Sequence, residues 1–231
     1  MSVSPIADMF DRISPKYDVL NHLLSLNIDK VWRRKTAKVV TKSHPETILD
    51  LATGTADLAI ALAKYNPQTH IIGMDISEKM LGIGKEKVKR QDLENQIELH
   101  LGDAAILPFE DRSFDAITVA FGVRNFEALE QGLSEIQRVL KPQGHVFILE
   151  FSMPDKFPVR QLYRLYFKHI LPKIGKMVSK DHNAYSYLPE SVEHFPKPIV
   201  FLEMMKQHGL GNGQAKPLTF GIATLYTALK A

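Results

Sequence analysis

The sequence predicts a doubly wound α/β sheet with one strand reversed near its end and helical segments added over its rim. Between Thr47 and Phe151, short apolar strand-like runs alternate with helix-like runs, the order that builds a parallel sheet covered on both faces. The flanking stretches 1–45 and 152–198 read as helix and loop without strand. Finally, Gln214 to Phe220 and Ile222 to Leu229 read as two strands joined by a tight turn at Gly221. Hairpin partners run in opposite directions, so one of the two opposes the rest of the sheet.

Taken in order, Ser4 to Val40 reads as wholly helical, with an interruption at Pro15, where the missing N–H breaks the hydrogen-bond ladder. Thr47 to Leu51 is the first strand, Ala56 to Lys64 a helix and His70 to Met74 the second strand. Ser77 to Arg90 follows as a helix. Ser77 stands at its N-cap, and Lys85, Lys87, Lys89 and Arg90 lie near its end, where cations suit the macrodipole. Ile97 to Leu101 and Asp115 to Ala120 are the next two strands, and Ala128 to Leu140 is a helix. Lys141-Pro142-Gln143-Gly144 makes a turn into the fifth strand, His145 to Phe151. Pro154 to Pro198 is helix, irregular loop and helix, and Pro198 to His208 is one helix more. With the terminal pair the sheet has seven strands. A single domain accommodates all of this: an N-terminal helical lid (1–45), a cofactor-binding core (46–151), a substrate-covering insertion (152–198), and a C-terminal helix and hairpin (199–231).

Composition narrows the function. A chain of 231 residues, 45% apolar and 24% charged, suits one globular domain. The net charge of +3, from 29 Lys and Arg against 26 Asp and Glu, is small and dispersed, which argues against a nucleic-acid partner. The absence of cysteine excludes disulfides, thiolate catalysis and cysteine zinc sites. None of the nine histidines has another at the i+3 or i+4 spacing that aims two imidazoles at one metal, so no metal site is expected. Met1 to Phe10 carries Asp8 and lacks a basic start followed by an apolar run, unlike a secretory signal. No apolar stretch approaches the roughly 18 to 20 residues that span a bilayer. A cytoplasmic protein is expected, soluble or seated on the inner membrane surface.

The strongest local signal is Asp50-Leu51-Ala52-Thr53-Gly54-Thr55-Ala56-Asp57, between the first strand and its helix. Such a turn sits at the carboxyl edge, where doubly wound sheets bind ligands. Gly54 allows close backbone approach, while Thr53 and Thr55 offer hydroxyls. A dinucleotide fingerprint needs three glycines to admit a pyrophosphate, and only one is present here. A nucleoside without phosphates tolerates side chains at the other two positions, which favours S-adenosylmethionine. About twenty residues on, Asp75 ends the second strand, at the spacing where a carboxylate accepts both hydrogens of a ribose diol. The third strand runs into Gly102-Asp103-Ala104-Ala105, where a carboxylate and adjacent amide suit an adenine edge. Each piece alone has a plainer explanation, Asp75 as a helix cap above all. Together they occupy the ends of three successive strands.

With these residues the chain resembles class I methyltransferases, which share the Rossmann-like fold. Further stretches are similar to the menaquinone and ubiquinone C-methyltransferase family. They include Phe10 to Asn21, Leu26 to Arg33, and Phe121-Gly122-Val123-Arg124-Asn125-Phe126, the counterpart of an F-G-x-R-N signature. Arg138 to Pro142, Leu149 to Ser152, Leu171 to Gly175 and Tyr185 to Ser191 also match, so the likeness covers nearly the whole chain in order. It implies a demethylmenaquinone methyltransferase activity, with Thr55, Asp75, Asp103 and Ala104 contacting the cofactor beside Asp50 and Gly54. Ala120 departs from those members that carry a cofactor-contacting Ser there, and Gln143 stands where the turn usually reads Gly-Gly.

Methylating an aromatic carbon requires in-line placement and an electron-rich ring, which a quinol becomes as its hydroxyl loses a proton. Arg124, after the fourth strand, offers a permanent cation to a phenolate, and Asn125 can orient a water or the quinol oxygen. Tyr17 and His22 on the N-terminal helix are candidates to close over the ring and handle protons, although a Tyr or His on a helix is more often a packing residue. Glu150 either faces the pocket or forms an end-of-strand salt bridge. Leu162, Tyr163, Tyr166, Phe167, Ile170 and Ile174 suit one broad apolar face, with Arg160, Arg164 and Lys168 on another side. That pattern fits an anionic bilayer surface, a cover for a greasy tail, or a helix packed on the core with a solvated face. The implied partner is a lipid quinol, and a homodimer is compatible with the pattern. Demethylmenaquinol leads as acceptor, with 2-methoxy-6-polyprenyl-benzoquinol the nearest alternative. A small-metabolite methyltransferase and a non-catalytic partner in a quinone-synthesis complex are more distant ones.

Overall fold

The structure is a computed structural model that describes residues 5–166 and 182–231. One seven-stranded sheet has the order β3-β2-β1-β4-β5-β7-β6. Its strands are β1 Thr47–Leu51, β2 His70–Asp75, β3 Ile97–Leu101, β4 Phe114–Ala120, β5 Leu140–Phe151, β6 Leu210–Leu218 and β7 Ala223–Lys230. β1 to β5 pair in parallel, while β7 pairs antiparallel with both β5 and β6. The expected reversed strand is therefore β7, lodged between two neighbours of the opposite direction. The helices among the described residues are α1 Pro5–Leu24, α2 Ile28–Val40, α3 Asp57–Tyr65, α4 Glu78–Lys89, α5 Leu129–Val139, α6 Val159–Leu165, α7 His182–His194 and α8 Pro198–Gln207.

The two-residue period of the strands divides the core. Ile48, Ala116, Phe147 and Leu149 face α2 and α3 on one side, with Trp32, Val40, Leu58 and Leu62 packed against them. Leu49, Leu51, Ile117 and Val119 face the other way, toward Leu133 and Ile136 of α5 and Phe201 and Met205 of α8. Burying both faces requires near-continuous apolar strands, which is why Thr47–Leu51 and Phe114–Ala120 read as runs rather than alternations. Each fully buried Leu or Ile stabilises the sheet by about 1.5–3 kcal/mol. Of the N-terminal segment, α2 thus belongs to the core, and α1 alone lies over the strand tips.

Local details differ from expectation where side chains or bulges rescue the backbone. Pro15 does not interrupt α1. The carbonyl of Asp11, deprived of its usual donor by Pro15, accepts a hydrogen bond from Ser14 Oγ at 3.0 Å instead. Lys141 to Gly144 does form an excursion, with Gln143 at φ 61°, yet the flanking residues keep the ladder. Leu140 pairs with Phe114 and His145 with Ala116, so Asp115 alone stands opposite the excursion. β6 begins at Leu210, ahead of the expected Gln214, because a bulge between Gly211 and Gln214 absorbs Asn212 and Gly213. Ser77 caps α4 as expected, its hydroxyl accepting from Met80 N at 3.2 Å. Phe167, Lys168, Ile170 and Ile174, and the matched stretch Leu171 to Gly175, lie outside the described residues.

Candidate active site

The strand order reverses at β1, which has β2 on one side and β4 on the other. Crevices of such sheets open at this place, beyond the carboxyl ends. A cavity of about 180 Å³ is found there, roofed by Ile6, Phe10 and Tyr17 of α1. Its floor starts with the turn after β1, where Ala52, Gly54 and Ala56 alternate in left-handed conformation at φ 50°, 57° and 64°. A side chain at Gly54 would be strained in that conformation, and its Cβ would project into space with nothing within 4 Å. Across the cavity, a Cβ at Gly122 would come within 2.4 Å of Ala52 Cβ. The loops after β1 and β4 touch there, and only glycine permits it.

Asp75 reaches this cavity from the tip of β2. Its Oδ2 accepts from Gly54 N at 2.7 Å and its Oδ1 from Ser77 N at 2.9 Å. With the N–H of Ile76, three backbone donors face the two oxygens, which leaves accepting capacity for a diol hydroxyl. Burial pushes the Asp75 carboxyl above its ordinary value, partly offset by those backbone N–H groups. Asp103 and Ala104 follow β3 at the wall, and Asp103 Oδ1 accepts from Ala105 N at 2.9 Å, which shapes the loop. The described lining includes three carboxylates, Asp75, Asp103 and Glu127, and no Lys or Arg. A pyrophosphate would meet only like charge here. A cationic sulfonium nucleoside meets carboxylates and a glycine-lined floor, so these residues fit S-adenosylmethionine.

Asp50 and Thr55 support this cavity from outside it. Asp50 is fully enclosed, accepting from Thr53 Oγ1 at 2.7 Å and Thr118 Oγ1 at 2.6 Å. Burial pushes its carboxyl up to about 6 despite those two donors. Thr55 Oγ1 donates to Asp18 of α1 at 2.6 Å and accepts from Lys87 Nζ at 3.1 Å. Lys87 also pairs with Asp18 and Asp57. Seven residues before Asp18, Asp11 accepts from the hydroxyl of Ser77 at the start of α4. Two acidic residues on α1 thereby tie the roof down.

A second cavity of about 180 Å³ lies beside the first, and its lining is overwhelmingly apolar: Leu26, Ile28, Trp32, Phe151, Tyr163 and Leu188 contribute. An aromatic wall divides the two. Phe121, which lines the first cavity, stacks 4.4 Å from Phe151, and Trp32 closes on both at 5.9 and 6.0 Å. Arg33 lies over Phe121 at 5.0 Å and Arg124 over Phe151 at 5.4 Å. Arg124 Nη1 donates to Glu150 Oε1 at 2.7 Å, and the two side chains are 7% and 0% exposed. Arg124 Nη2 has no hydrogen-bond partner among the described residues. Asn125 lines the first cavity, and its Oδ1 accepts from Tyr187 Oη at 2.9 Å.

Residues 2–230 match the family model described as the ubiE/COQ5 methyltransferase family. The chain belongs to that family. A demethylmenaquinone methyltransferase of Bacteroides fragilis is 48% identical over 225 residues, covering 97% of this chain and 92% of that protein. The ubiquinone/menaquinone biosynthesis C-methyltransferase UbiE of Geobacter sulfurreducens is 42% identical over 226 residues, covering 97% and 88%. Among solved structures, a SAM-dependent methyltransferase of Thermotoga maritima superposes with a TM-score of 0.68 at 16% identity, covering 98% of this chain and all of that one, a likeness of fold.

Within this ubiE/COQ5 chain, the first cavity brings together Gly54, Asp75, Asp103, Ala104, Asn125 and Tyr17 of the residues named from sequence. Arg124 stands behind the aromatic wall, in the salt bridge to Glu150 that was one of two readings of that carboxylate. His22 is elsewhere: its Nδ1 lies 2.9 Å from Asp29 Oδ2, and it lines a separate cleft with Lys30, Arg34 and Lys64. His22, Asp29 and Asp57 bring their ligating atoms within 4.8 Å of one another. Arg33 and Lys87 already neutralise those two carboxylates. Sequence reasoning missed the roof residues Ile6 and Phe10, the aromatic wall and Tyr187. The spacing of Ile6, Phe10 and Tyr17 on one helical face was the available signal for the roof.

Proposed function

We propose that this protein transfers a methyl group from S-adenosylmethionine to a ring carbon of an isoprenoid quinol, with demethylmenaquinol as the acceptor. The observation that carries the reading is the pair of adjoining cavities. Among the described residues one is lined by carboxylates without a cation and the other is apolar; Asn125 lines the first, and Arg124 next to it lies over Phe151 of the second. When bound, the cofactor would supply an electrophilic methyl and be left as its neutral thioether; the acceptor's phenol proton passes to solvent, and the proton displaced from the methylated ring carbon restores the hydroxyl. The protein supplies placement, which accounts for much of the acceleration in such reactions. Asp75 and the Gly54 turn hold the nucleoside, and the α1 roof excludes water from it. Asn125 directs a hydrogen bond at the ring oxygen, and the guanidinium of Arg124 favours the phenolate form that makes the adjacent carbon nucleophilic. Burial raises the Tyr17 hydroxyl above its ordinary value, so Tyr17 acts at neutral pH as a hydrogen-bonding hydroxyl and not as a base. His22, outside both cavities, takes no proton from the acceptor.

Among the described residues no helix is long and apolar enough to cross a membrane. A quinol acceptor resides in the bilayer, so the protein works at the inner membrane face, reached from the cytoplasm. The deciding experiment supplies purified protein with methyl-labelled cofactor and either short-chain demethylmenaquinol or 2-methoxy-6-prenyl-benzoquinol. Label is expected in the menaquinol product. Label in the benzoquinol alone would move the assignment to the ubiquinone precursor, and label in neither would end it.

A further inference from the structure

Helix α7 holds the loop that carries Arg124 and Asn125. Tyr187 and Ser191 stand one turn apart on α7, and both reach that loop. Tyr187 Oη donates to Asn125 Oδ1 at 2.9 Å, and Arg124 Nε donates to Ser191 Oγ at 3.3 Å. The neighbouring residue Leu188 lines the apolar cavity, and Val192, one turn on, packs with Tyr163 of the same cavity. One helix thus forms part of the wall of the apolar cavity and also grips both polar side chains at the junction.

The contact at Asn125 has a direction. With its carbonyl oxygen engaged by Tyr187, the amide is left to present N–H groups, and its nearest other partner, the Phe121 carbonyl, lies at 3.4 Å. An N–H aimed at a phenolate stabilises it, whereas a flipped amide would present an oxygen and repel it. The Phe121 carbonyl, which can only accept, disfavours the flipped amide, and the Tyr187 hydroxyl anchors the oxygen of the orientation that assists the reaction. Leu188, adjacent in sequence, ties that selection to whatever fills the apolar cavity.

We propose that the acceptor's isoprenoid chain occupies the apolar cavity against Leu188 and Trp32, and that this occupancy seats α7 so that Tyr187 and Ser191 lock Asn125 and Arg124 in their working positions. Tyr187 is a positioning residue, acting through Asn125. The proposal rests on the quinol reading above and adds that the chain accelerates turnover as well as tightening binding. Contacts made by a remote, non-reacting part of a substrate raise kcat only when they are converted into orientation at the reacting centre.

The test compares kcat and KM for a naphthoquinol without a chain and for the same ring with two isoprene units. It uses the full-length protein, its Tyr187→Phe variant and its Leu188→Trp variant. In the unaltered protein the chain is expected to lower KM and also to raise kcat about tenfold, the rate equivalent of one well-placed hydrogen bond. In Tyr187→Phe the ratio of the two kcat values falls toward one while the chain still lowers KM. Leu188→Trp, which fills the cavity, raises KM for the chain-bearing acceptor alone. Equal kcat for both acceptors in the unaltered protein, or a Tyr187→Phe loss shared equally by both, overturns the proposal. Methylation of neither acceptor by the unaltered protein refutes the quinol reading itself, and the proposal with it.

Discussion

Removing the guanidinium of Arg124 leaves the fully buried carboxylate of Glu150 with the Phe151 N–H at 2.7 Å and the distant N–H of residue 124 at 3.3 Å. An ion pair broken from one side inside a protein costs about 3–5 kcal/mol, because the surviving charge has nowhere to go. Arg124→Ala is therefore expected to lose stability and turnover together, and its inactivity alone would say little about chemistry. The informative variant is Arg124→Gln combined with Glu150→Gln, which removes both charges and keeps hydrogen-bonding capacity. Urea unfolding should show most of the lost stability regained, while turnover stays down by roughly 10²–10³ for want of a cation beside the phenolate. Recovery of turnover in the double variant would reduce Arg124 to a structural role. The residues that carry a backbone signature were legible in the sequence: Gly54 and Asp75 mark themselves by position after a strand. Pairings such as Arg124 with Glu150, or Tyr187 with Asn125, depend on which long side chains meet across 26 and 62 residues of chain, and no local pattern encodes that.

Helix α1 is held over the first cavity by a few polar contacts. Asp18 takes hydrogen bonds from Thr55 and Lys87, and Asp11 takes one from Ser77. Entry and release of a nucleoside under Ile6, Phe10 and Tyr17 are expected to part those contacts. Half-exposed ion pairs contribute little each, so the combined effect is modest. Asp18→Ala is expected to weaken binding of the demethylated cofactor product roughly tenfold by calorimetry, with faster amide exchange across 5–24. Asp18→Asn, which can still accept from Thr55, should fall between. Faster exchange with unchanged affinity would show that α1 does not retain the ligand. The helix itself was readable from sequence, but its continuity through Pro15 was not, because the Ser14 hydroxyl that satisfies the Asp11 carbonyl is a local substitute that periodicity does not register. The same holds for β6, where Gly211 and Gly213 read as breakers and the bulge accommodates them. The β/α alternation, the Ser77 cap and the reversal at β7 were all legible, since each follows from residue order and turn chemistry alone.

Exposed apolar side chains cluster around the lining of the apolar cavity. Leu26 at its rim is 77% exposed, Phe220, two residues from the lining Ile222, is 81% exposed, and Leu162, beside Tyr163, is 62% exposed. The expected single apolar face of this segment is accordingly split: Tyr163 turns inward while Leu162 and Leu165 turn out. Lys156, Arg160 and Arg164 are exposed along the same stretch. Apolar side chains set among cations suit the interface of an anionic bilayer, where each Lys or Arg near the surface contributes about 1 kcal/mol. A net charge of +3 is too small to attract a bilayer from a distance, so any binding is expected to depend on this local cluster. Co-sedimentation is expected with phosphatidylglycerol vesicles and not with phosphatidylcholine vesicles, weakening at about 0.5 M salt as the charges are screened. Arg160→Glu with Arg164→Glu should reduce the anionic-vesicle fraction more than about tenfold. Leu162→Ser with Phe220→Ser should reduce it at every salt concentration. Absence of binding to anionic vesicles, even with a quinol dissolved in them, would mean that the acceptor is delivered to this cavity by a carrier rather than drawn from the membrane.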